Sequence, residues 1–98
     1  MIERPIIEQL GQEEILCQIA EEASELAQAA LKYRRAISGK NPTPVTEAEA
    51  YRNLLEEYAD CAISLQVFGV QYGDITGIMW QKYARWKERM EALQNVED

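Results

Sequence analysis

Gly39-Lys40-Asn41-Pro42-Thr43-Pro44-Val45 is the stretch that decides the fold. Pro42 and Pro44 remove backbone donors and clash with any preceding turn, so no helix runs through it. Gly39 follows Ile37 and Ser38 at the position of a left-handed C-terminal cap. On the far side, Thr46 and Glu49 form a Thr-x-x-Glu capping box, which starts a new helix. The segment is a loop between two helices, and the chain turns back on itself there.

Upstream of the loop, Leu16, Ile19, Ala23, Leu26, Ala30, Tyr33 and Ile37 recur at steps of three and four. They trace one apolar stripe on a helix beginning near Gln12. Pro5 suits the first turn of a short helix over residues 5–10, ended by Gly11. Downstream, Tyr51, Leu54, Leu55, Tyr58, Cys61, Ala62, Leu65 and Phe68 share a face of a second long helix, which ends near Gly69 or Gly73. Asp74 is the expected N-cap of a third, striped by Ile75, Met79, Tyr83, Trp86, Met90 and Leu93.

The expected fold class is therefore all-α, a short N-terminal helix plus three long ones. At 98 residues and 11.2 kDa the chain makes a single domain over 1–98. From Tyr58 to Val70 the second long helix is apolar nearly all round, because Ala59, Ile63, Val67 and Val70 cover the face opposite Leu65. Such a helix is enclosed by neighbours, and one short chain offers too few. The helical bundle is expected to be completed by oligomerisation, as a homodimer or homotetramer.

A net charge of −7 argues against a nucleic-acid polymer as partner. It is compatible with a small phosphate ligand where a bound metal inverts the local sign. The absence of histidine excludes Ser-His-Asp and Cys-His catalysis, His-ligated zinc and the Glu-x-x-His pattern of di-iron bundles. Cys17 and Cys61 are too few for a disulfide scaffold and read as small core residues. No signal peptide and no apolar run of about 18 residues is read, so a cytoplasmic chain without a membrane partner is expected.

Most of the 17 acidic residues fit solvated helix faces. At about 100° per residue, Glu22 instead falls about 60° from the centre of the first stripe, with Glu25 one turn on. Glu57 lies at the edge of the second apolar face, and Asp60 lies within the stretch that is apolar all round. A buried carboxylate needs a cation or a proton. No lysine or arginine stands within four residues of Glu22, Glu57 or Asp60 on the proper side. Folding about the proline loop brings the Glu22/Glu25 and Glu57/Asp60 pairs level within about one turn, at about 1.5 Å per residue. Four facing carboxylates favour a hard divalent cation, Mg²⁺ or Mn²⁺. A pair of solvated acidic stripes is the rival reading.

Glu21-Glu22-Ala23-Ser24-Glu25 followed by Glu57-Tyr58-Ala59-Asp60 resembles the E-E-x-x-E … E-x-x-D signature of MazG-like, all-α nucleoside triphosphate pyrophosphohydrolases. Ile19-Ala20, Leu26 and Leu54-Leu55-Glu56 match the words around those motifs, and the likeness spans residues 11–90. The 31 residues between Glu25 and Glu57 depart from the pattern, at or beyond the long end of the family's usual range, and the proline loop accounts for them as a longer hairpin. The resemblance implies hydrolysis of a nucleoside triphosphate substrate to the monophosphate and pyrophosphate, with Mg²⁺ on Glu22, Glu25, Glu57 and Asp60. Glu21, about 100° round the helix from Glu22, is left to support a ligand or to act as the base that orients water.

Lys82, Arg85 and Arg89 form a basic stripe at i, i+3, i+7 on the third long helix. Two readings stand for it: ion pairs with Glu88 or acids on other helices, or a grip on phosphate oxygens by Lys82 and Arg85. The resemblance implies the second. The rivals to an active enzyme are a nucleotide-binding or protein-interaction helical module without turnover, and a related phosphoribosyl-nucleotide pyrophosphohydrolase.

Overall fold

A computed structural model describes residues 5–97, with side chains to Asn95. Four helices follow in order: α1 (Ile6–Leu10), α2 (Gln12–Ser38), α3 (Glu47–Phe68) and α4 (Tyr72–Glu97). No strand occurs among the described residues. None of the helices is long and apolar enough to cross a membrane.

The caps are the ones the residues dictate. Gly39 closes α2 at φ 66°, ψ −1°, and its N–H donates to the Arg35 carbonyl at 3.0 Å. Thr46 Oγ1 accepts from the Glu49 N–H at 3.1 Å and opens α3. At α4 the expected start is displaced: the helix begins at Tyr72, before Asp74. Asp74 sits in the first turn, where its Oδ2 accepts from the Gln71 N–H at 2.9 Å. A carboxylate one turn in satisfies an orphaned donor and faces the positive end of the helix dipole.

α2 and α3 are antiparallel. Tyr33 meets Tyr51 edge-to-face near the loop, with ring centroids 5.6 Å apart, and Glu25 meets Glu57 further down. Buried Ile15 and Ala29 on α2, and Ala50 and Ser64 on α3, mark the seam. Ala29 and Ala50 are 2% and 1% exposed, and side chains this small let the two backbones approach closely. Ser64 is satisfied by donating from Oγ to the Asp60 carbonyl at 3.0 Å.

This seam is turned from the stripe the sequence predicts. Its line on α2 is Ile15, Ile19, Glu22, Leu26, Ala29, Tyr33 and Ala36, all buried or half-buried. Leu16, Ala23, Ala30 and Ile37 face outward. The physical reason is that α2 carries two apolar lines, and only one of them meets α3. The same holds for α3, where Tyr58, Ile63 and Leu65 are exposed while Glu57 is half-buried. Cys61 is half-buried, but Cys17 is exposed, against the expectation of a core residue.

Among the described residues α4 packs its backbone against no other helix, and only its first two turns, at Tyr72, Ile75 and Met79, share a pocket with Leu26, Tyr58 and Leu65. Apart from half-buried Thr76, its described side chains are exposed, including Met79, Tyr83, Trp86, Met90 and Leu93. The radius of gyration is 18.3 Å, against about 13 Å for a compact domain of this length. The accessible surface is 8430 Å², about 2,700 Å² more than a compact monomer of this mass shows. One chain does not cover its own apolar faces.

Candidate metal centre

The turned seam places Glu22 and Glu57 on the axis of the α2–α3 interface, where the periodicity put them at its flanks. One carboxylate oxygen from each of Glu22, Glu25 and Glu57 lies within 4.8 Å of the others. Ligand oxygens about 2.1 Å from a six-coordinate Mg²⁺ are about 3.0 Å apart when adjacent and about 4.2 Å apart when opposite, so the three side chains would have to draw together to hold such an ion.

The satisfaction of these groups is uneven. Gln18 Nε2 donates to Glu22 Oε1 at 2.7 Å, one turn up the same helix. Glu22 Oε2 and Glu57 Oε2 are buried and have no partner. A buried carboxylate oxygen without a donor is costly. Burial, then the charges of Glu25 and Asp60, hold the Glu22 carboxyl above its ordinary value of 4.5, while the Gln18 hydrogen bond pulls it the other way. Negative charge is concentrated here beyond what the fold itself requires.

The remaining expected site residues are placed as follows. Asp60 is exposed and stands outside the triplet, close enough for its charge to act on Glu22. Glu21 is exposed on the outer side of α2. Lys82 and Arg85 line a shallow pocket with Trp86 and Arg89 on α4 and form no ion pair with the acids. Within one chain, the basic stripe and the carboxylates are not brought together.

Sequence reasoning missed a second basic group. Lys32 and Arg35 are half-buried on α2 in the cleft that continues from Glu25 and Glu57. The signal was there: Glu25, Gln28, Lys32 and Arg35 follow one another at steps of three and four. Comparisons of the chain with protein-family models, with curated proteins and with solved structures give no match.

Proposed function

We propose that the chain is a Mg²⁺-dependent nucleotide pyrophosphohydrolase, cleaving a (d)NTP to the nucleoside monophosphate and pyrophosphate, and that it works as a homodimer or larger homo-oligomer. The observation that carries this reading is the pair of buried, unpartnered oxygens on Glu22 and Glu57 beside Glu25. Acids with no cation of their own, at the centre of a helix seam, fit a divalent metal better than a solvated face. The likeness of their spacing to the MazG-like signature supplies the reaction class.

Glu22, Glu25 and Glu57 hold the ion, with Asp60 adding charge from α3; Mn²⁺ suits the same oxygens. A bound divalent ion supplies charge neutralisation at the α-phosphate and a more acidic water. Glu21, exposed on the outer side of α2, faces away from that water within one chain and would act only on substrate held from outside the seam. Attack forms the bond from water oxygen to the α-phosphorus, and the bond from that phosphorus to the bridging oxygen breaks as pyrophosphate leaves.

The uncovered surface supports the assembly. An excess of about 2,700 Å² per chain is of the size that permanent homo-oligomer interfaces bury. Docking α4 of a second copy on the exposed faces of α2 and α3 covers those faces and carries Lys82 and Arg85 toward the acids.

Pyrophosphate release across the common NTPs and dNTPs, with and without Mg²⁺, tests the activity. Release that requires Mg²⁺ is expected, and no release from any nucleotide overturns it. Sedimentation at micromolar concentration tests the assembly: a folded monomer of 11.2 kDa removes it. The bare faces of α4 also favour a second reading, a helical interaction module with solvated acids, which predicts assembly without any response to Mg²⁺.

A further inference from the structure

On the loop side of the carboxylates the seam opens into a cleft of about 470 Å³. Glu25 and Glu57 form one end of its wall, and Gln28, Lys32, Arg35 and Asn53 supply the polar remainder. Lys32 and Arg35 are half-buried, and among the described residues neither side chain has an ion-pair or hydrogen-bond partner. Neither pairs with Glu25 or Glu57 at the other end of the cleft, so both keep their donors free for a bound anion. The negative end of α2 acts on Arg35, which stands in the last turn, and does not account for Lys32, a turn earlier. Arg34, their neighbour, is exposed and lies outside the cleft.

The axial spacing suits a chain of phosphates. Lys32 stands about 10 Å along the helix from Glu25, and Arg35 about 15 Å. The Cα–Cβ bonds of a helix tilt toward its N-terminus, which here is the Glu25 end, so both stems lean back toward the carboxylates. Arginine offers a planar fork of donors and lysine a mobile point charge, the usual pairing on phosphate oxygens.

We propose that Lys32 and Arg35, with Gln28 and Asn53 as neutral donors, form a diphosphate subsite. It takes the two terminal phosphoryl groups of the substrate, and then the pyrophosphate product, while the α-phosphate stays at the carboxylate end. The direction of the substrate rests on the pyrophosphohydrolase reading; binding of a diphosphate anion in the cleft does not.

The test is calorimetric titration of the full chain with inorganic pyrophosphate in the presence of Mg²⁺, alongside nucleotide hydrolysis. Lys32→Met, which keeps the apolar stem, and Arg35→Gln each weaken pyrophosphate binding by about tenfold or more. Arg34→Gln stays within about twofold of the unaltered chain. Lys32→Arg, which keeps the charge, retains binding within about threefold and serves as the folded reference if Lys32→Met melts early. Unchanged binding in Lys32→Met and Arg35→Gln, or no binding by the unaltered chain, overturns the subsite. Hydrolysis with unchanged pyrophosphate binding removes the subsite and leaves the enzyme. Binding lost as expected, in a chain that hydrolyses no nucleotide, removes the enzyme and leaves the subsite.

Discussion

The α2–α3 seam and α4 differ in what each has been given to touch. In the seam, small residues draw two helices together, and the interface line is interrupted by acids at Glu22 and Glu57. On α4, large apolar side chains such as Trp86 and Met90 stand in solvent. The seam buries charge that a stable core has no use for, and α4 exposes area that a stable core wants. The same chain is thus under-apolar where it is closed and over-apolar where it is open. On the proposed reading a cation answers the first and the surface of another copy answers the second.

The comparison breaks most readily at Glu57. Glu57→Gln should lower kcat/KM by about a hundredfold or more, as expected for loss of a ligand to a catalytic metal. Melting curves of the metal-free protein should move upward, because the change relieves repulsion in the carboxylate cluster. The Mg²⁺-induced rise in Tm should vanish. An undiminished Mg²⁺ shift in the variant would take the metal out of the seam.

A smaller effect sharpens the α4 side. Lys82→Ala should cost about tenfold in kcat/KM, roughly 1.4 kcal/mol, with Tm nearly unchanged. Since Lys82 does not reach the acids of its own chain, this loss requires α4 of another copy over the site. Mixing Glu57→Gln with Lys82→Ala protein should then give more activity than the two proteins show separately, and kinetics of the mixture decide it. Full activity in Lys82→Ala alone leaves α4 as scaffold.

The smallest effect lies in pH. Glu22 has its carboxyl held above 4.5, so just above that value the folded metal-free chain binds more protons than the unfolded one. Stability from this group is therefore gained as pH falls from neutral toward 4.5 and lost as pH rises through the raised value. Thermal melts across that window should show a rise that Glu22→Gln reduces. Identical slopes for the two proteins would mean that Glu22 is solvated.

Helix existence was legible from local chemistry: Gly39, the prolines and Thr46 act on their own neighbours, and no tertiary contact overrides them. Glu22, Glu25 and Glu57 were legible as neighbours for the same reason, because spacing on two helices and one loop length fix their relative depth, whereas Asp60 was read as enclosed and is exposed, since that face of α3 meets no helix of this chain. The seam's exact line was not. Periodicity reports every apolar line on a helix, and α2 has one for α3 and another left open, so Leu16 and Ile37 looked like core. Asp74 was misplaced because an acid at the cap and an acid one turn in leave the same trace in sequence. Lys32 and Arg35 were passed over because a cation counts as solvated until a groove is seen beneath it.

The Tyr33–Tyr51 contact and the Ala29 and Ala50 positions stand between the proline loop and the carboxylates. They fix how far one helix slides along the other before the loop has any say. Chain inserted at residues 40–45 therefore bulges outward and leaves the acids level. Doubling a flexible connection costs only about 0.6 kcal/mol in closure entropy. The interval between the acidic motifs can consequently lengthen at the loop at little cost in stability, whereas a shift of register at the two tyrosines would carry Glu57 past Glu25.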